Sequence, residues 1–585
     1  MSVRVGILDS GVCQRYVEAG CDVGYAINVQ DGNIIIGDDW SDDIGHGTAI
    51  YYLIKNALKD LCDRVEIVNI KVFSQNKTIE YDDFVDILEY INEHDCFDFL
   101  NISSGIVCCG DVSRMQKVCN DFYQKNCVLI AAYDNEGAVS FPAALDNVIG
   151  VDSNTQVEKI RLENHGIVDV FCKASFMRVP GNDGEMTLVK GNSYMCPIVT
   201  AELIKEKVKG DSLSITPNAN KHQYLLGNNF KMPHLGNSIV FPFNKEIHSI
   251  ACNEDLINTH IVAYYSHRLS GQVGKKICEV IKWSDNNKII HDIDNICWDD
   301  FDSIIMGHTT ELEKLVKKDF KSHIVTEARK RGKKIYSFDP YFDNNGNSEY
   351  IYFPYIENSN VPYNYGKLFK TNKPILSIIG TSSRQGKFTL QLMLRRCLQK
   401  LGYKVGQIGT EPSALLFGMD CVFPCGYNSS VKLNIFNTVA KINQMIYYLS
   451  QKDVDIIITG SQNAVITYND NNINNYPLYH QVVLQSFKPD AMILCINPYD
   501  TMEYVEQTIR AAESLTDGKV IALVCFPYDI DKNWSIMQRK QEKMSVDRII
   551  NKKEECKGIL GVDMYMLDDV LDQSELTEQI IAYFT

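Results

Sequence analysis

The chain has no run of about 18 apolar residues, the length a membrane-crossing helix needs, so neither a spanning helix nor a membrane partner is expected. It also has no Cys-x-x-Cys pair. Its 19 cysteines are scattered and odd in number, which suits small buried hydrophobes in a reducing compartment better than a disulfide framework. Cys421-x-x-x-Cys425 has no second ligand pair nearby, so no zinc site is expected. Positive charge is short: 58 Lys and Arg against 74 Asp and Glu give a net charge of −16, which argues against a nucleic-acid partner. No segment is disordered by composition. With 45% hydrophobic residues, 585 residues are too many for one core and predict three or four domains. Met1-Ser-Val-Arg-Val enters an apolar strand pattern directly, without the h-region of a signal peptide, so a cytoplasmic location is expected. No loop of alternating carboxylates marks a calcium site; Asp38, Asp39, Asp42 and Asp43 read as solvated loop charges.

What the chain does have is three glycine-flanked segments in its first two hundred residues: Gly6-Ile-Leu-Asp9-Ser-Gly11, Gly45-His46-Gly47-Thr48 and Gly191-Asn-Ser193-Tyr-Met-Cys-Pro197. They offer an acid, a base and a nucleophile, each on a tight turn where a Cβ would often clash. Val3 to Leu8 reads as a buried strand delivering Asp9 at its carboxyl end. His46 opens the helical pattern Ala49 to Leu61, and Ser193 precedes the helical spacing of Ile198 to Val208. A nucleophile at a helix N-terminus has backbone N–H groups near its Oγ, which favours a developing oxyanion.

The order Asp, His, Ser in these motifs resembles the subtilase family of serine peptidases, over residues 1 to about 205. That resemblance implies a parallel α/β sheet and a catalytic set of Asp9, His46 and Ser193. Val128-Leu-Ile-Ala-Ala-Tyr-Asp-Asn135 resembles the family strand that ends in the second oxyanion donor, which gives Asn135 that role. Phe99-Leu-Asn-Ile-Ser103-Ser104-Gly105 resembles the strand that pairs with substrate backbone, making Ser103, Ser104 and Gly105 the substrate-binding residues. Tyr133-Asp134 and Tyr194 stand where the family usually has smaller residues, and Tyr194 and Asp134 are expected to narrow the site or alter its charge. The protease itself needs no cofactor and no metal.

A second signal lies downstream. Lys373-Pro-Ile-Leu-Ser-Ile-Ile-Gly380 is a buried-strand pattern, followed by Thr-Ser-Ser-Arg-Gln-Gly386-Lys387-Phe-Thr389 and a helix from Leu390 to Leu401. Strand, glycine loop, lysine and helix is the phosphate-cradling order, with Gly380, Gly386 and Lys387 as candidate nucleotide-binding residues. The loop holds five residues between its glycines where the strict pattern has four, and Phe388 takes the usual hydroxyl position. Thr389 is therefore the candidate Mg²⁺ contact, with ATP as the nucleotide. Further strands, at 403–411, 454–462, 491–500 and 520–527, put polar residues at strand ends, and Glu411, Asp455 and Gln462 are weaker candidates for nucleotide or metal contacts.

This half resembles the P-loop domain of a dethiobiotin-synthetase-like family, in a version associated with bacterial peptide maturation, in which Phe241-Pro-Phe-Asn244-Lys245-Glu246 opens a Rossmann-like domain. The layout expected is a subtilisin-like protease domain at 1–208, a linker at 209–236 rich in Asn, Ser, Pro and Gly, a Rossmann-like domain at 237–370 and a P-loop NTPase-like domain at 371–585. The partner implied is a ribosomally made precursor peptide whose leader must be removed. The competing reading is an inert, peptide-binding protease relative attached to an ATP-dependent P-loop protein.

Overall fold

The computed structural model describes residues 2–17, 22–75, 79–107, 110–163, 165–181, 183–226, 231–342, 350–530 and 541–585. It is α/β throughout, with three large sheets and two compact units. Unit 1 is 1–227 with 362–372 and 450–452; unit 2 is 228–361, 373–449 and 453–585. Unit 1 thus runs past residue 208 and takes in a segment from far downstream. The reason within the stretch read as a linker is Lys221, whose fully buried side chain pairs with Asp169 and donates to the carbonyls of Ala143 and Val148, both at 2.8 Å.

The unit 1 sheet is built from β1 (Val3–Asp9), β2 (Asp22–Gln30), β3 (Asn33–Gly37), β4 (Val65–Lys71), β5 (Phe99–Ile102), β6 (Val128–Ala132), β7 (Val148–Asn154), β8 (Ile160–Leu162) and β9 (Val170–Lys173). The order is β3-β2-β4-β1-β5-β6-β7-β9-β8, parallel from β2 to β9, with antiparallel strands at both edges. β1 lies inside the sheet, between β4 and β5, and is apolar along almost its whole length, as a strand covered on both faces must be. By the two-residue period of a strand, Val3, Val5 and Ile7 share a face. They join Ile50 and Ile54 of α1 (His46–Ala57) and Val199 and Leu203 of α2 (Asn192–Lys209) in one apolar cluster. The packing of α1 against α2 is what brings their first turns to the same end of the sheet.

Unit 2 has two large sheets, both all-parallel. One runs Ile290–Asp292, His260–Ser266, Asn237–Phe241, Ser303–Met306, Lys334–Ser337, Ile351–Tyr352. The other runs Cys421–Val422, Val405–Gly409, Ile456–Gly460, Ile375–Gly380, Ala491–Ile496, Lys519–Cys525, Met564–Met566. Cys421 and Cys425 are both buried in an apolar cluster with Ile408, Phe423 and Ile442. Among the described residues no helix is long and apolar enough to cross a membrane.

Candidate active site and a second cavity

Asp9 ends β1, and because β1, β5 and β6 are parallel, Ser103 and the turn toward Asn135 leave the sheet at the same carboxyl edge. His46 is the first residue of α1, and its Nδ1 lies 2.8 Å from Asp9 Oδ1. That oxygen also accepts the backbone N–H of Ser10 at 2.8 Å. A carboxylate at Nδ1 keeps the proton there and leaves Nε2 as the basic nitrogen. Burial works against the imidazolium, but the charges of Asp9 and Asp42 outweigh it and raise the His46 pKa above its ordinary value.

The turns carrying Asp9 and His46 are laced together. Gly47 N–H donates to Ser10 Oγ at 2.9 Å, and Cys13 N–H donates to Thr48 Oγ1 at 2.9 Å. A Cβ on Gly47 would fall 2.2 Å from the Gly11 carbonyl oxygen, so this position tolerates only glycine. At the centre sits Asp42. Its Oδ1 accepts from Ser10 Oγ and from the N–H groups of Ile44 and Gly45, and its Oδ2 from the N–H and hydroxyl of Thr48. Asp42 is therefore a structural bracket at the start of α1 and not the solvated charge expected from the sequence. The cap residue itself, Gly45, has no side chain with which to satisfy the helix N–H groups.

Ser193 is the second residue of α2 and is buried. Its two neighbours tie it to the other candidates. The Tyr194 ring lies 5.2 Å from that of His46, tilted at 52°, and Asn192 N–H donates to Asn135 Oδ1 at 2.7 Å. The second bond fixes the Asn135 amide by its oxygen, so the end left to serve a ligand is the N–H donor. The structure thus gathers Asp9, His46, Asn135 and the Ser193 turn at one edge. Of the two residues expected to narrow the site or alter its charge, Tyr194 stands beside His46. Tyr133 is buried, with its hydroxyl donating to the Ile167 carbonyl at 2.5 Å, and Asp134 Oδ2 accepts from Glu136 and Ala138 N–H within its own turn.

Ser103 Oγ accepts from Asn101 Nδ2 at 2.8 Å, Ser104 Oγ is buried with no hydrogen-bond partner, and a Cβ on Gly105 would come within 3.1 Å of Ser140. Just beyond, Ile106 exchanges both backbone hydrogen bonds with Phe141, which limits any added substrate strand to the stretch before it.

In unit 2 a cavity of about 550 Å³ opens beside the glycine loop. Gly386, at φ +77°, turns the chain into the helix Lys387–Lys400, while Gly380 ends the strand below, where a Cβ would meet Gln385 Oε1 at 2.6 Å. Lys387 Nζ donates to the Ser382 carbonyl at 2.6 Å, and burial, only partly offset by Cys495 and Glu411, lowers its pKa to about 8. Gly386, Lys387, Thr389, Glu411 and Gln462 all line this cavity. Asp455 does not belong there: it precedes the strand Ile456–Gly460 and accepts from Lys404 N–H at 2.7 Å, at the amino end, because in a parallel strand only the carboxyl end reaches the loop edge. Gln391, almost wholly buried on the cavity wall, has an Oε1 with no partner. Sequence reasoning missed His308, also on the wall, whose Nδ1 is 2.7 Å from Asp339 Oδ1. The available signal was Gly307-His308-Thr309 directly after the strand Ser303–Met306, the same strand-end placement that marked Glu411.

Residues 363–544 match a family model described as a domain of unknown function, DUF1611_C, P-loop domain. Among solved structures, a DUF1611 family protein from Anabaena variabilis is 12% identical over 60% of this chain and 100% of its own, with a TM-score of 0.44. The prenylagaramide maturation protease PagA is 17% identical over 40% of this chain and 85% of its own, TM-score 0.26. The epidermin leader peptide processing serine protease of Staphylococcus aureus is 14% identical over 40% and 70%, TM-score 0.28. No curated protein matches the chain.

Proposed function

We propose that unit 1 is a subtilase-type serine endopeptidase that removes the leader of a ribosomally made precursor peptide, and that unit 2 binds a nucleotide. The observation that carries the first part is the His46 Nδ1 to Asp9 Oδ1 pair at 2.8 Å on the edge that also holds Ser193 and Asn135. The substrate class rests on the sequence resemblance.

In this reading His46 Nε2 takes the Ser193 hydroxyl proton as Oγ attacks the scissile carbonyl, while Asp9 steadies the imidazolium through Nδ1–H. The carbonyl oxygen becomes an oxyanion, met by Asn135 Nδ2 and the backbone N–H of Ser193; one such donor is worth on the order of 10² to 10³ in rate. His46 then returns the proton to the leaving amine, and water hydrolyses the acyl-enzyme.

For unit 2, the buried Lys387 and the helix N-terminus fit a phosphate-bearing ligand, and the orphaned Gln391 Oε1 is an acceptor left for a ligand N–H or O–H. Lys387 and the Gly386 turn would hold the phosphates of ATP and Thr389 its Mg²⁺, and the bound nucleotide would supply a transferable phosphoryl group.

A fluorophosphonate probe read by intact mass tests the protease. Labelling of wild type and none of Ser193→Ala is expected; a wild-type chain that stays unlabelled while still binding ATP would favour the inert, peptide-binding reading.

A further inference from the structure

The first 227 residues of unit 1 do not complete its site. Residues 362–372, which follow one sheet of unit 2 and precede the other, lie in unit 1. The segment is firmly seated: the Leu368 carbonyl accepts from Val139 N–H at 2.9 Å, and the Tyr365 hydroxyl donates to Glu163 Oε2 at 3.0 Å and to the His165 carbonyl at 2.9 Å. The Tyr365 ring meets Phe171 edge-on at 5.0 Å. Gly166 has no room for a Cβ, which would fall 2.4 Å from the Tyr363 carbonyl oxygen.

This seating buries Lys367, whose Nζ lies 2.8 Å from Asp152 Oδ2 and 4.9 Å from the centre of the Tyr133 ring. The other Asp152 oxygen accepts from Asn192 Nδ2 at 2.9 Å. Asn192 is itself buried; its side chain also donates to the carbonyls of Tyr133 and Asp134, and its backbone N–H holds Asn135 Oδ1. One polar chain therefore runs Lys367, Asp152, Asn192, and from Asn192 to both the oxyanion candidate and, through the next peptide bond, Ser193.

We propose that Lys367 is a positioning residue of the protease: it neutralises Asp152 so that Asp152 can hold Asn192, and with it the Ser193 turn and the Asn135 amide, in register. The catalytic unit is then completed by a segment encoded between the two sheets of unit 2, which gives a physical reason for one chain to carry both. A carboxylate buried with its counter-ion removed is drawn toward water, and that displacement releases Asn192. Displacement of a catalytic group by about 1 Å costs on the order of 10²-fold in rate.

The inference rests on the protease reading, and the test separates the two. In the full-length chain, the rate of fluorophosphonate labelling at Ser193 and hydrogen exchange over residues 186–196 are measured for wild type, Lys367→Met, Lys367→Arg and the double variant Asp152→Asn/Lys367→Met. Lys367→Met is expected to slow labelling about 10- to 100-fold and to speed exchange at the Asn192 amide. Lys367→Arg should restore much of the rate, and the double variant should recover relative to Lys367→Met, because it carries no orphaned charge. The double variant also keeps the test open if Lys367→Met fails to fold. Wild-type rate and exchange in Lys367→Met would overturn the inference. A wild-type chain that never labels would sink the protease reading alone, with the exchange measurement still deciding whether Lys367 positions Asn192.

Discussion

Asp42 Oδ2 accepts both the backbone N–H of Thr48, at 2.8 Å, and its hydroxyl, at 2.6 Å. The same carboxylate holds Ser10, Ile44 and Gly45, so one residue fixes the turn from which His46 projects and joins it to the turn after Asp9. Asp42→Ala removes the side-chain acceptor of the Gly45 and Thr48 N–H groups at the start of α1. Loss of such a cap costs about 1–2 kcal/mol, and freeing the His46 turn should lower the Ser193 labelling rate by about 10-fold or more. Thermal unfolding and probe kinetics on the same sample check both, and an Asp42→Ala chain that labels as fast as wild type would contradict the bracket role.

The pH profile carries the sign of the electrostatics. His46 acts as a base only when neutral, and burial, which disfavours its charge, is outweighed by Asp9 and Asp42. Its pKa therefore lies above the ordinary value of about 6.5, and the rising acid limb of the labelling rate should sit above that pH. With Asp42 neutralised as Asp42→Asn, the limb should move down. A wild-type limb at or below the ordinary imidazole value would show that the charges of Asp9 and Asp42 do not outweigh the burial of His46.

Much of this site was legible in the sequence because each motif is local. A buried apolar strand ending in Asp9, a glycine on either side of His46, and a glycine before the helix of Ser193 are all read within ten residues. The groups that hold these motifs in place are not local. Asp42 and Asp43 are adjacent carboxylates with the same polar surroundings in sequence, yet only Asp42 meets the N–H groups of Gly45 and Thr48. Asp152 meets Lys367 across more than two hundred positions, and His308 meets Asp339 across thirty-one, so no window of sequence contains either pair. Lys221 sits in a stretch whose Asn, Ser and Pro suggest a linker, and only the fold supplies the buried Asp169 that requires it.

That pair gives a stability prediction. Lys221 is fully buried, and Asp169, which it neutralises, also accepts the N–H groups of Gly150 and Asn218. Burial raises the Asp169 pKa even with Lys221 present. Lys221→Met removes the cation and leaves the carboxylate, which should destabilise unit 1 by about 3–5 kcal/mol. Asp169→Asn in the same chain should return most of that loss, since two neutral groups leave no unpaired charge. Urea denaturation of the single and double variants decides it: equal losses in both would mean that packing of the lysine stem, and not charge, is what Lys221 contributes.

Lys387 gives the last prediction, for unit 2. Burial lowers its pKa to about 8, with Cys495 and Glu411 pulling the other way. Below that pH the side chain is a cation facing a cavity, and above it a neutral amine that attracts phosphate only as a hydrogen-bond donor. A bound polyphosphate would favour the protonated form and raise the pKa, so by linkage its affinity must fall as pH rises through the free-protein value. Titration calorimetry with MgATP at pH 7 and pH 9 should show weaker binding at the higher pH, in buffers of matched ionic strength. The difference should vanish in Lys387→Met, which binds weakly at both. A pH dependence that survives in Lys387→Met would move the titrating group elsewhere on the cavity wall.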